Sequence, residues 1–245
     1  QCHVDMLVAE RPSVPPEKCV ITGLGVNLAD YDKPIVKKGC RMLYANDPAR
    51  GLWHVLEIFD RVHAQIPEAT LHVAYDFDRQ FEPWRWQASD MAERLWQCKE
   101  RIERGNGIVN LGALGHEELV REQLECQVHV HPSDPPNRGS QIHGLTQMEL
   151  AAAGSALVLS DIEAFPELFG ECASLLPVPG CMGAYDPDEQ TPSRVTADDW
   201  ATEVVGLMQD QDRWQRASQG ARTTAAKYDW SVVIDRWDKM LGALD

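Results

Sequence analysis

The stretch Arg41-Met-Leu-Tyr-Ala45, then Asn46-Asp-Pro-Ala-Arg50-Gly51, an amphipathic run to Gln65, and finally Thr70-Leu-His-Val-Ala-Tyr75 decides the fold. Within the run, Leu52, Val55, Leu56, Phe59 and Val62 recur at helical spacing. The two flanking segments are short and apolar, as strands covered on both faces are. A strand, a crossover helix and a second strand make one unit of a parallel sheet.

The same alternation continues outward. Strands are predicted over residues 41–45, 70–75, 108–111, 128–131, 156–160 and 174–177. Helices are predicted over 51–65, 84–104, 117–127 and 145–153, with a short helical turn at 165–169. A Pro-, Gly- and Asp-rich loop spans 177–193. Beyond it the pattern is wholly helical, over 197–211, 213–228 and 231–244. Asp198 with Glu203, and Asp229 before Trp230, suit helix starts. The expectation is an α/β domain over residues 39–245: a Rossmann-like parallel sheet of about six strands with helices on both faces and an all-helical C-terminal tail. Residues 1–38 are interrupted by Pro12, Pro15, Pro16 and Pro34 and read as an interdomain linker or edge segment, strand-like only over 18–22. There is no internal repeat or low-complexity tract.

Composition limits the functions available. The 245 residues carry a formal net charge of −15, and the longest basic run is the pair Lys37–Lys38. A nucleic-acid backbone calls for a basic face, so it is not the expected partner. A local positive pocket for a diphosphate remains compatible with that balance. Seven scattered cysteines, none in a Cys-x-x-Cys pair, read as reduced structural thiols of a cytoplasmic protein. A membrane-peripheral location is the alternative. No apolar stretch is long enough to span a bilayer, and no signal peptide is read. The chain starts at Gln1 rather than Met and reads as part of something longer.

Parallel sheets bind ligands at the carboxyl ends of their strands, where helix N-termini converge. Three candidate segments sit there. In the first, a Pro/Gly turn after residues 41–45 leads into a helix, and Arg50 brings a guanidinium whose fork suits phosphate oxygens. The same residues also fit a surface loop with a solvated Arg. The second runs from His131-Pro-Ser through Arg138 and Gln141-Ile-His143 to Gly144-Leu-Thr-Gln-Met-Glu149. Gly144 permits close backbone approach, and the N–H groups of Leu145 and Thr146 suit a diphosphate. Glu149 suits a pair of ribose hydroxyls, while Gln141 and His143 suit sugar hydroxyls. The bland alternative is a polar loop and a helix carrying a solvated Glu. The third segment is the acidic turn after residues 156–160, with Asp161, Glu163 and Glu167. The eight histidines show no metal-ligand spacing, and His129 reads as a packed core residue. Tryptophans read mainly as packing. No Walker, Gly-x-Ser-x-Gly or Gly-x-Gly-x-x-Gly pattern occurs, and the absent Gly-rich fingerprint and catalytic Tyr/Lys pair weigh against a nucleotide-dependent epimerase or dehydrogenase.

In order, Arg50-Gly51-Leu52, Thr70-Leu-His-Val73, Leu111-Gly112, Pro132-Ser133, Gln141 to Glu149, Glu149-Leu-Ala-Ala-Ala-Gly154, Leu157-Val-Leu-Ser-Asp161 and Pro166-Glu167 resemble the C-terminal, donor-binding domain of retaining GT-B glycosyltransferases of family 4. Pro16 to Asn27 is similar to that family's interdomain stretch, and Tyr228-Asp-Trp230-Ser to the start of its final helix. The resemblance covers about residues 14–240. It implies a hexosyltransferase that binds a nucleoside-diphosphate sugar and retains anomeric configuration, without a metal or other cofactor. Asn46, Arg50, Gly51, Gly112, Arg138, Gln141, His143, Gly144, Leu145, Thr146 and Glu149 would then contact the donor. Arg50, Gln141 and Glu149 would carry the chemistry. An acceptor, a glycan or another small molecule, would be bound by an N-terminal domain in cis or in trans. The chain departs from the family in three ways. Gln141 replaces the first Glu of the Glu–seven residues–Glu pair. The usual Arg plus Lys of the first loop is reduced to Arg50. The acceptor-binding domain is outside this sequence. A non-catalytic nucleotide-sugar-binding module is the alternative expectation.

Overall fold

The computed structural model describes residues 2–34, 37–77, 90–133, 144–179 and 194–242. Six strands form one parallel sheet: β1 (Arg41–Tyr44), β2 (Thr70–Val73), β3 (Ile108–Asn110), β4 (Val128–His131), β5 (Ala156–Ser160) and β6 (Ser174–Leu176). Their spatial order is β3-β2-β1-β4-β5-β6. The chain thus winds outward from β1 to one edge, returns to the centre and winds to the other. Register pairs Arg41 with Thr70, Leu71 with Ile108, Met42 with Val128, and Val128 with Ala156. The sheet matches the expected class, with each strand at or slightly inside its predicted span.

Strand side chains alternate between faces, so each strand feeds two cores. Met42, Tyr44, Val128, Val130, Ala156 and Val158 pack with helices α2 (Leu52–Gln65), α3 (Asp90–Glu103) and α7 (Ala197–Gln209). Leu43, Leu157 and Leu159 point the other way, to α4 (His116–Glu125), α5 (Leu145–Ala152), α6 (Phe165–Phe169) and α8 (Gln211–Ala226). The small residues Ala151, Ala152 and Ala153 let α5 approach Ala221 and Ala225 of α8 closely. Ser218 Oγ closes that contact by donating to the Gly154 carbonyl at 2.7 Å.

Some local readings are corrected. Residues 18–22 form no strand: a 3-10 turn at Pro16–Lys18 precedes extended chain with no paired neighbour until Val26 bridges Asp229. An isolated β-prone run has nothing to complete its ladder. The same N-terminal segment contains helix α1 (Cys2–Glu10), where no periodicity was read. Within that segment Val26 and Tyr31 are buried in the second core. Helix α7 starts at Ala197, as expected, but its cap is Thr196 rather than Asp198 with Glu203: the Thr196 hydroxyl and backbone N–H both meet Asp199 in a capping box. The described part of the third predicted helix begins at Asp90, and residues 84–89 lie outside the described residues. Tryptophan divides: Trp200 is fully buried, whereas Trp96, Trp230 and Trp237 are exposed. On the last helix, α9 (Trp230–Gly242), Trp230, Ile234, Trp237 and Leu241 share one exposed stripe.

Lys37 is a partly buried cation. Its ammonium donates to the Ala153 carbonyl at 2.9 Å and lies 3.4 Å from Ser155 Oγ, where it caps the end of α5. Burial lowers its pKa to about 8. The unfolded chain therefore binds more protons at this site than the folded chain between pH about 8 and the unperturbed value near 10. Stability at this site rises with pH across that window and is flat below it. Lys37→Met is expected to remove the rise, seen as the difference between wild-type and variant urea midpoints at pH 7.5, 9 and 10. Parallel midpoints would refute it.

Candidate functional site

The order β2-β1-β4-β5 places the topological reversal between β1 and β4, the position at which parallel sheets of this class bind ligands. Two of the three sequence candidates follow these two adjacent strands. After β1, Tyr44 Oη donates to the Asp47 carbonyl at 2.8 Å, and the Asp47 carboxylate accepts from Ala49 N–H at 2.9 Å. These bonds hold a 3-10 turn over Pro48–Arg50 and present Arg50, half-buried, on the rim. Gly51 then adopts φ 103°, a left-handed conformation that reverses the chain into α2. Asn46 stands on the same turn, its Nδ2 buried and without a hydrogen-bond partner among the described residues.

After β4 the described chain resumes at Gly144, which caps α5 with φ 69°. A Cβ at Gly144 would lie 2.8 Å from Phe165 Cε1 and 2.9 Å from Gln147 Oε1, so only glycine fits without displacement. The first N–H groups of α5, on Leu145 and Thr146, have no partner within the helix and carry the positive end of its dipole. The link back to Arg50 runs through His131, the last residue of β4. Its ring lies 6.2 Å from that of Tyr44 and 5.9 Å from that of Phe165. Arg50 lies close enough for its charge to help hold the His131 imidazole neutral. Arg50 near His131, and a helix start packed on the Phe165 ring that His131 also touches, are groups of the kind that neutralise an anion. Gly144→Ala is expected to lower the melting temperature by several degrees, from left-handed strain of about 1–2 kcal/mol and the contact with Phe165. An unchanged transition in scanning calorimetry would refute the close approach.

Glu149 faces the other side of α5, toward α4. Its carboxylate accepts from Gln123 Nε2 at 2.9 Å, and Gln123 Oε1 accepts from Tyr31 Oη at 2.7 Å. Burial raises its pKa above the usual carboxylate range, while the Gln123 bond and nearby His116 oppose that rise. His116 in turn meets Asp30 at 3.0 Å. Sequence reading missed Tyr31, Gln123 and His116, because only the fold brings the N-terminal segment and α4 beside α5. Gly112 adopts φ 64° after β3, its N–H on Asn110 Oδ1 at 3.1 Å, with open space where a side chain would stand. It lies on the edge strand, two strands from β1. Arg138, Gln141 and His143 lie outside the described residues. Asp161 is exposed, as a solvated turn residue is. Glu167 instead lines an apolar cavity of about 580 Å³ with Leu7, Val20, Ile21, Leu24 and Leu168. That cavity shares no residue with the rim.

His129 is a satisfied core residue, as the sequence suggested. Its Nδ1 lies 3.1 Å from the Leu43 carbonyl, and burial lowers its pKa to about 4. Among the described residues, no group of three or more His, Cys, Asp or Glu could hold a metal, and no helix is long and apolar enough to cross a membrane. Cys19, Cys40, Cys98, Cys126 and Cys172 are free thiols.

No protein-family model matches the chain. It is 30% identical over 193 residues to a phosphatidyl-myo-inositol mannosyltransferase of Mycobacterium tuberculosis, which covers 78% of this chain and 43% of that protein. The chain spans about half the length of the curated relatives it matches. Among solved structures it is similar to sucrose-phosphate synthase from Thermosynechococcus elongatus, with TM-score 0.66 and 18% identity over 98% of this chain and 57% of that one. It is also similar to Anabaena Alr3699/HepE in complex with UDP and glucose, with TM-score 0.63 and 14% identity over 89% and 55%. At such identities the structures establish the fold alone: that of GT-B glycosyltransferases, as the motif order implied. The mannosyltransferase relatives agree with that resemblance.

Proposed function

We propose that this chain is the nucleotide-sugar-binding half of a retaining GT-B hexosyltransferase. What supports the reading is that Arg50 follows β1 and the start of α5 follows β4, the two strands adjacent at the reversal. A relative named as a mannosyltransferase and a neighbour solved with UDP and glucose both favour a hexosyl donor.

On this reading the pyrophosphate lies against Arg50, Asn46 and the N–H groups of Leu145 and Thr146. Catalysis is leaving-group stabilisation: these fixed charges and dipoles take up the negative charge on the departing nucleoside diphosphate as the glycosidic bond breaks. We assign no metal to the step, because cations and N–H donors already face the charge. Glu149, held by Gln123, would accept from the ribose hydroxyls, and Arg138, Gln141 and His143 would approach the sugar. Acceptor recognition belongs to a second domain, in cis or in trans, since a GT-B site lies between two domains.

The test is calorimetric titration of the chain with uridine, guanosine and adenosine diphosphate sugars. One nucleotide class is expected to bind, and binding by none would overturn the reading. Gln141 favours a second outcome, because an amide carries no charge where the family places a carboxylate. Nucleotide binding with no sugar transfer, even when an acceptor domain is supplied, would mark the chain as a binding module.

A further inference from the structure

His131 is the one fully buried side chain among the described residues that has two ring nitrogens and a partner for neither. Its neighbour two residues back shows what a satisfied histidine looks like here: His129 Nδ1 meets the Leu43 carbonyl, and its Nε2 lies 3.5 Å from Gln147 Nε2. The two rings stack at 6.0 Å and 13°. A neutral imidazole carries one donor and one acceptor, and leaving both unmade in the interior costs stability. Tyr44 and Phe165 flank the ring, a setting in which a phenyl group would pack without that cost. Packing therefore does not account for a histidine at this position.

Its place in the fold does. His131 ends β4 at the reversal, between the Arg50 turn and the Phe165 ring on which Gly144 rests. The second unpartnered polar atom of this rim is a donor too, Asn46 Nδ2. Unmade donors beside a guanidinium and a helix start form a set that matches the acceptor oxygens of a phosphate. We propose that His131 is a donor-recognising residue that, with Asn46, gives a hydrogen bond to a phosphate oxygen of the bound nucleoside diphosphate. This rests on the rim being the diphosphate site. Burial, His129 and Arg50 all favour the uncharged ring, so it acts as a neutral N–H donor and not as a cation.

The probes are UDP, GDP and ADP, titrated calorimetrically into wild type, His131→Phe, His131→Asn and His131→Gln, with melting temperatures measured alongside. Asn places an amide near Nδ1, and Gln near Nε2. His131→Phe is expected to bind about five- to tenfold more weakly, one neutral hydrogen bond's worth, while melting at or above the wild-type temperature. One of the two amide variants is expected to recover most of the affinity. A purely structural histidine would instead lower affinity and melting temperature together, with neither amide restoring binding, and that result overturns the proposal. So does a His131→Phe protein that binds as wild type does, in which case the diphosphate site itself stands. Wild-type protein that binds none of UDP, GDP and ADP overturns the site as well.

Discussion

Replacing Arg50 by alanine is expected to weaken nucleoside diphosphate binding about a hundredfold, with the melting temperature held within a few degrees. A guanidinium on a phosphate makes two parallel charge-assisted bonds, and alanine removes both. The turn that carries it does not depend on its side chain: Asp47, Tyr44 and the left-handed Gly51 set the backbone of Pro48–Arg50. Arg50→Lys keeps the charge but loses the fork, and is expected to fall between, about tenfold below wild type. Calorimetry at fixed ionic strength checks both, and added salt should weaken the wild type more than Arg50→Ala. Equal affinity of Arg50→Ala and wild type would remove the rim as a phosphate site.

The largest expected effect on stability belongs to Trp200. It is fully buried on α7, among the residues that pack α7 and α2 against the sheet, and its Nε1 donates to the Pro177 carbonyl at 3.0 Å. Trp200→Ala deletes the indole and leaves a cavity, at a cost of about 3–5 kcal/mol. Set against a total of roughly 5–15 kcal/mol for ordinary domains, that is a large share. The variant is expected to show a urea midpoint far below wild type, or to be unfolded at 37 °C. Trp200→Phe keeps an aromatic ring but not the bond to Pro177, and is expected to recover about half of the loss. A Trp200→Ala midpoint close to that of wild type would mean that the α2–α7 layer is not part of the cooperative core.

Periodicity made the sheet legible because each strand is buried on both faces and each crossover helix has one apolar stripe. Burial of that kind writes itself into the chain at spacings of two and about 3.6. It failed in the N-terminal segment for a related reason. Val26 and Tyr31 are buried there by distant partners rather than by a repeating local face. The start of α7 was read in the right place, but its cap was not: Thr196 acts through a reciprocal bond with Asp199, a geometry that the acidic residues nearby obscured.

The site divides the same way. Arg50, Gly51, Gly144 and Glu149 stood out by residue type and by their position just after a strand, so local chemistry announced them. Tyr31, Gln123 and His131 did not, since a tyrosine in a Pro-rich segment and a histidine at a strand end are unremarkable in isolation. The amino-acid order by itself determined the six strands, their parallel class and the turns that close them, because hydrophobic spacing and turn chemistry are short-range properties. Only the tertiary structure decided that β1 lies beside β4. That adjacency pairs Met42 with Val128 and sets the buried His131 ring beside Tyr44 at the foot of the Arg50 turn. Long-range strand pairing follows from how whole layers pack, and no local spacing encodes it.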